Sequence, residues 1–332
     1  MNRFAATLLI GALAAAPAAA QLGVTYTENF DDGAASTRWS APVIDAETGV
    51  FDGAVDYAFD YGAIGIPAAP GGGSATGVLF QANLSDAGAV DEGEAIAIVP
   101  TVGGELPNAP YRLSVQAYFN VEAQNSGTTE FGLFGVHAAA FNAPGDAGLN
   151  DDVPFDFGVS NGNGLAYMAS GDSGASNDFH RYEDAGNLNA GSQTGLGSYD
   201  DRDGQFTNIT DPINEGPRGQ WIEIAIERDG PFVSFIVDGA VIDTIDNGDD
   251  FSDGTILLGY ADYFNSVGVP TFEVGPDPTP FDDSDGPFGD QFAGLAHFLI
   301  LDNVVVETIV PEPTSAVIAV VALGGLVTRR RR

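Results

Sequence analysis

Glu223 and Glu227 are the first residues that invite a chemical reading. They stand four apart, with Ala225 midway, in a stretch where Ile222, Ile224 and Ile226 alternate with them. Paired carboxylates cleave glycosides when one acts as nucleophile and the other as acid, which requires a separation of about 5–5.5 Å for retaining hydrolysis. Residues i and i+4 of a strand are about 13 Å apart. The two acids cannot form that pair by themselves, and they read as the solvated face of a strand.

The histidines His137, His180 and His297 have no histidine partner at i+2 to i+5, so spacing supports no zinc site. His297 reads as a half-buried sheet residue. No Gly-x-Ser-x-Gly elbow, phosphate loop or dinucleotide fingerprint occurs. Aspartate is the remaining metal signal. YDDRDG (199–204) sets Asp201 and Asp203 at alternate positions before a glycine, and FDDSDG (281–286) does the same with Asp283 and Asp285. Calcium takes six to eight oxygens from carboxylates and loop carbonyls, so these loops are the candidate calcium sites. Neither carries the first Asp of the helix–loop–helix calcium pattern, nor its Glu six residues after the Gly. Calcium is the only cofactor the sequence suggests.

The charge balance sets the permitted partners. The chain has no lysine and 11 arginines, of which Arg3 and the last four lie in terminal signals described below. Glu312 lies there too, so six arginines face 46 acids and the body carries a formal charge of −40. Such a surface repels nucleic acid and anionic membrane and attracts cations. A saline habitat, a calcium-rich surface layer or a genome poor in lysine codons would each yield it. With no cysteine there is no disulfide, thiol chemistry or cysteine metal site. Stability must come from a core, which 44% apolar residues can build.

The elements that would carry these residues read almost wholly as strand and turn. Short runs rich in Val, Ile, Phe and Tyr fall at 24–30, 77–83, 94–99, 111–119, 129–137, 163–169, 177–182, 220–228, 231–237, 240–245, 254–260 and 293–308. No segment of the body holds a capped 3.6-residue apolar period over three turns; a short helical turn fits near 84–90 or 182–188. Asp229-Gly230 and Asp238-Gly239 separate three alternating strands, the strongest short-range hairpin signal. The expectation is an all-β antiparallel sandwich. Residues 140–219 are rich in Gly, Asn and Asp and read as an insertion or a set of rim loops.

The stretch WIEIAIERDGPFVSFIVDGAVIDTI (221–245) resembles the hairpins of laminin-G-like and concanavalin A-like jelly rolls. GTILLGYADYF (254–264) is similar to the strand that follows them. AHFLILDNVVVE (296–307) is similar to the closing strand, and ENFDDGAASTRWS (28–40) to the opening one. The resemblance implies a jelly roll over 21–309 in which first and last strands share a sandwich. Glycosidases on such sandwiches carry Glu-x-Asp-x-Glu along one strand; the nearest match here, Glu223 to Glu227, has Ala225 at the centre.

Both ends read as export signals. Met1-Asn2-Arg3, the apolar Phe4–Ala16 and the small residues Ala18-Ala19-Ala20 form a secretory signal peptide over 1–20, cleaved before Gln21. At the other end come Pro311-Glu312-Pro313, an apolar run from Thr314 to Thr328, and Arg329, Arg330, Arg331 and Arg332. As a helix that run spans about 22 Å, short of the roughly 30 Å bilayer core, so it suits a transient anchor. The arginines would stay on the cytoplasmic side. This three-part tail, 310–332, resembles the PEP-CTERM sorting signal of Gram-negative-type bacteria. The resemblance implies processing by exosortase-type sorting machinery, with transient inner-membrane insertion through the C-terminal helix.

The combined expectation is an exported, surface-sorted, non-catalytic β-sandwich. Its place would be the cell surface, outer envelope or extracellular matrix, as a structural or adhesive component. The alternatives are a lectin-like module binding extracellular polysaccharide and, behind it, a polysaccharide hydrolase. For the lectin-like reading, Tyr57, Tyr61, Tyr167, Tyr182, Tyr199, Tyr260 and Tyr263 lie near predicted loops, where exposed rings could stack on sugar; core packing is the default for each.

Overall fold

The computed structural model describes residues 21–46, 53–82, 94–121, 130–138, 154–156, 164–183, 187–189, 193–213, 216–246, 254–262 and 297–310. In chain order the strands are β1 (Gln21–Glu28), β2 (Val43–Ala46), β3 (Ala54–Asp60), β4 (Thr76–Gln81), β5 (Glu94–Ile98) and β6 (Tyr111–Asn120). Then follow β7 (Glu130–Ala138), β8 (Pro154–Asp156), β9 (Leu165–Ser170), β10 (Phe179–Tyr182), β11 (Asn187–Asn189) and β12 (Gln193–Gly195). The last are β13 (Trp221–Asp229), β14 (Phe232–Val237), β15 (Ala240–Asp246), β16 (Thr255–Asp262) and β17 (Phe298–Val310). Residues Val24–Thr308 form one compact unit.

The strands make two large sheets. The first runs β15-β14-β13-β6-β17-β4-β3, with β1 also on β17; the second runs β12-β10-β9-β7-β16-β5-β2. The ladders between named strands that are resolved residue by residue are all antiparallel. One core joins the inner faces, with Leu113, Val115, Ile222, Ile224, Phe235 and Leu299 from the first sheet and Ile96, Phe134, Tyr167 and Leu258 from the second. The fold is therefore an antiparallel β-sandwich, and period-2 burial along β6 and β13 is what locks its register. Gly230 and Pro231 form the two-residue turn between β13 and β14, Gly230 at φ 61°. Asp238 and Gly239, at φ 46° and 85°, form the next one. Both turns need positive φ to match strand twist.

Each sheet also has a second apolar face. Outside the first sheet, Tyr118, Trp221 and Ile300 pack under Tyr61, Ile64 and Ile66 of the segment after β3, and Trp221 Nε1 donates to Pro67 O at 2.8 Å. Outside the second, Ala95, Ala97, Leu133, Ala166, Met168 and Leu257 form a separate buried cluster. The ribbon β8–β11 lies near it: β8 approaches β2 and β11 approaches β10.

Several expectations need revising. β2, β3, β8, β11 and β12 were not anticipated; three are only three residues long, too short to show a period. β1 starts at Gln21 rather than 24, and β17 at Phe298 rather than 293. Of the helical turn placed near 182–188, Tyr182 ends β10 and Asn187 and Leu188 belong to β11, while 184–186 lie outside the described residues, as does 84–90. The stretch 140–219 contributes β9, β10 and β12 to the second sheet, with Leu165, Tyr167, Phe179 and Tyr199 in the core.

Candidate functional site

The densest concentration of ionisable groups lies at one end of the sandwich. Asp262, the last residue of β16, pairs in register with Glu130 of β7 on one side and Glu94 of β5 on the other. Alternation turns all three inward, because Ile96, Phe134 and Tyr260 of the same rows face the inter-sheet core. Opposed residues have Cβ atoms about 5 Å apart, so three carboxylates stand side by side across three strands. None exceeds 1% exposure. His297, one residue before β17, pairs its Nδ1 with Glu130 Oε1 at 2.7 Å. At 3% exposure it is a buried ion-pair partner rather than the half-buried sheet residue expected. The Gly53 amide donates to Glu94 Oε1 at 3.1 Å. Tyr260 sits one inward position along, and burial, then Glu130 and Asp262, hold its hydroxyl protonated well above the usual range.

The loop between β9 and β10 adds to the same end, its Gly171 amide donating to Glu130 O at 2.9 Å. Asp172 and Asp178 of this loop are fully buried. Asp178 Oδ2 accepts the Tyr199 amide at 2.8 Å, while Oδ1 has no partner among the described residues. Burial pushes the Asp178 carboxyl up to about 7, and repulsion from Asp172 and Asp200 adds to this against the Tyr199 and Ala175 amides. This set of acids faces the core between the sheets, whereas a nucleophile–acid pair needs a face open to substrate. Among the described residues, no group of three or more His, Asp or Glu is disposed to hold a metal ion.

A second acidic junction joins the two chain segments that resembled opening and closing strands. Thr25 Oγ1 of β1 donates to Val306 O of β17 at 2.9 Å. A bulge in β17, with Asn303 at φ 50°, separates Asp302 from the valines that follow. Asp302 Oδ2 accepts from Tyr61 Oη at 2.8 Å, and Oδ1 from the Asn303 amide at 2.6 Å. Burial pushes this carboxyl also up to about 7, with Asp31 and Glu28 adding repulsion. Arg38 secures Glu28 and Asp32 at 2.7 and 2.8 Å.

The sequence-predicted residues fare differently. Glu223 and Glu227 share a face of β13, but Arg112 of the neighbouring β6 lies between them and donates to both. They are an arginine-bridged surface group, not a freely solvated one. Asp201 accepts from its own loop, Ser198 N and Oγ at 3.3 and 3.4 Å, and Asp203 follows the 3-10 turn Asp200–Arg202. Asp283, Asp285, Ala18, Ala20, Pro311, Glu312, Pro313 and Arg329, Arg330, Arg331 and Arg332 lie outside the described residues, while Gln21 opens β1. Among the described residues, no helix is long and apolar enough to cross a membrane. Tyr61, Tyr167, Tyr182, Tyr199 and Tyr260 are core residues. Tyr57 is half-buried with its hydroxyl on Ser40 O, and Tyr263 lies outside the described residues.

Sequence reading missed Glu94, Glu130, Asp262, Asp172 and Asp178 as a group. Each stands at a strand end or in a loop, and only pairing between strands far apart in sequence brings them together. The single local signal was parity: each of the three strand acids continues the inward row of its strand.

No protein-family model matches the chain, and no curated protein matches it. Solved structures do resemble it. A protein of unknown function with a galectin-like fold from Bacillus subtilis is 8% identical, with 88% of this chain and 100% of that one covered and a TM-score of 0.43. The catalytic domain of an endo-1,3-beta-glucanase (laminarinase) from Thermotoga petrophila is 12% identical, with coverage of 87% and 99% and a TM-score of 0.37. Carbohydrate-binding module CBM66 from Bacillus subtilis is 8% identical, with coverage of 80% and 95% and a TM-score of 0.33. At these values no ligand or reaction transfers to this chain; its own strand order and core define the sandwich.

Proposed function

We propose that this chain is an exported, surface-sorted and non-catalytic β-sandwich of the concanavalin A-like jelly-roll type. It serves as a structural or adhesive component of the cell envelope or extracellular matrix. One observation supports the non-catalytic part: among the described residues, the acids singled out for hydrolytic work are tied up with other groups of the protein, either on its surface or in its interior. Glu223 and Glu227 are held by Arg112, Glu130 pairs with His297, and Glu94 and Asp262 complete a row facing the core. The outer face of the second sheet adds support. It presents a buried apolar cluster of Ala95, Ala97, Leu133, Ala166, Met168 and Leu257, in which the rings of Phe131 and Tyr182 are packed away rather than exposed for stacking.

The export part rests on the two terminal signals. The signal peptide sends the chain across the inner membrane, the tail holds it there through Thr314–Thr328, and exosortase-type machinery acts at Pro311-Glu312-Pro313. Two experiments test the reading. Cells expressing the chain without 310–332 should lose it from the surface fraction and release it or retain it in the periplasm; unchanged surface display defeats the sorting role. The purified protein, incubated with a polysaccharide panel, should generate no new reducing ends. Turnover that disappears in an acid-to-amide variant such as Glu130→Gln would establish a hydrolase instead.

A further inference from the structure

Arg228 breaks the pattern of paired charges. Among the arginines of the body, Arg38, Arg112 and Arg181 hold carboxylates, and Arg202 holds the carbonyls of Leu196 and Ile242. Arg218 also has a buried Nη1 without a hydrogen bond among the described residues, but it is engaged elsewhere on its side chain or backbone. Arg228 lies on β13, where Ile222, Ile224 and Ile226 face the core, and parity turns it inward after them. Its register partners agree: Tyr111 on β6 and Val233 on β14 are both core residues. It is only 7% exposed, and its Nη1 is buried with no hydrogen-bond partner among the described residues.

Its register partner Tyr111, whose hydroxyl feels the Arg228 charge, carries a second polar group with it. Tyr111 Oη and His137 Nε2 share a hydrogen bond of 2.8 Å across the two sheets. His137 reaches inward because β7 carries one extra residue against β16 here, with His137 itself at φ 58°. A bulge of this kind re-aims a side chain, and a positive φ at a non-glycine is a strained conformation retained where it serves a purpose. This end of β7 is opposite the one that holds Glu130.

A guanidinium does not give up its proton. A carboxyl raised by burial, as Asp178 is, can neutralise itself by keeping its proton; a guanidinium has no such route. Desolvating a cation costs several kcal/mol unless an anion compensates, yet in a body of charge −40 no acid among the described residues has been placed against it. We propose that Arg228, Tyr111 and His137 form a receptor for one carboxylate group of a small ligand. The guanidinium fork matches a carboxylate with two parallel hydrogen bonds. One monoanion balances one cation, whereas a phosphate dianion would leave excess negative charge in an already acidic protein. The phenol and imidazole add neutral hydrogen bonds, and Tyr111 stays protonated because burial raises its hydroxyl. The carboxylate could belong to a free organic acid or to a sugar acid.

The test is nuclear magnetic resonance of the ¹⁵N-labelled full chain, with Arg228→Lys identifying the Arg228 Nε–H signal. Acetate, D-glucuronate and D-glucose are the probes at neutral pH. Saturable shifts of that signal and of the His137 ring with acetate and glucuronate, but not glucose, are expected. Equal affinity for the two acids means a receptor for free organic acids; tighter glucuronate binding means a sugar-acid receptor. Absence of a saturable shift, an equal response to glucose, or His137 shifts that persist in Arg228→Lys overturns the proposal. A stability arm is independent of those spectra. Glucuronate should raise the melting temperature of the wild type and leave Arg228→Met unmoved, and without ligand Arg228→Met should be at least as stable as the wild type. A less stable Arg228→Met with an unchanged ligand response would make Arg228 purely structural. Either failure leaves the sandwich and its export intact.

Discussion

Replacing Asp178 with Asn should stabilise the protein at high pH and do little at low pH. In the folded chain its carboxyl is pushed up from 3.8 to about 7, chiefly by burial. A folded value above the unfolded one means that the folded state holds a proton which the unfolded state gives up. The resulting contribution is fully present below pH 3.8, is lost as pH rises toward 7, and is absent above that. At about 1.4 kcal/mol per unit, the ionised carboxylate destabilises the wild type by up to about 4 kcal/mol at pH 8 relative to the neutral group. Asparagine keeps the acceptor for the Tyr199 amide and places a neutral NH₂ at the position of the unpartnered Oδ1. After allowance for local relaxation, a gain of about 2–4 kcal/mol at pH 8 and close to zero below pH 4 is expected. Urea denaturation in EDTA at both pH values reads this as a shift in midpoint at constant m. Taking the difference between the two proteins removes the general self-repulsion of a −40 body, which both share. A variant less stable than the wild type at pH 8, or one with the same offset at both pH values, would refute the burial argument.

Further outcomes follow from the same geometry. Asp302→Asn should flatten the fall in stability between pH 4 and 7, because that carboxyl too is raised to about 7; an unchanged stability–pH curve would count against it. His180 is held down to about 4 by burial, so its ring should stay neutral at pH 5 by NMR, and its contribution is present above the unfolded value of 6.5 and lost as pH falls toward 4. His297→Ala removes the imidazole paired with buried Glu130 and should cost about 3 kcal/mol in chemical denaturation. Arg112→Met leaves Glu223 and Glu227 to repel each other on a half-exposed face, so a loss of about 1 kcal/mol that shrinks in salt is expected.

The parts of the fold legible in the sequence are those whose signals are local. The β13–β14–β15 meander follows from alternating isoleucines and two glycine-containing turns, and it stands almost as read. The last strand was legible from its run of valines, but the segment 28–40 read as the opening strand holds only Glu28 of β1, followed by turns and the short 3-10 helix Ala35–Thr37. Strands of three residues, such as β8 and β12, carry no period at all, and pairing with a distant partner decides their state. The acid row illustrates the same limit: Glu94, Glu130 and Asp262 belong to three separate strands, and only register unites them. Arg228 was readable in principle, since Ile222, Ile224 and Ile226 point to it as the next inward position. Its place in IERDG, beside a turn, disguised it as a solvated charge.

The central claim, that this sandwich leaves the cytoplasm and is sorted by its tail, is tested most directly by intact-mass and terminal-peptide mass spectrometry of the protein recovered from the native cell surface. A chain beginning at Gln21 and lacking Arg329 through Arg332 is the predicted result. Recovery of the full-length product, with Arg332 still at its end, would contradict it.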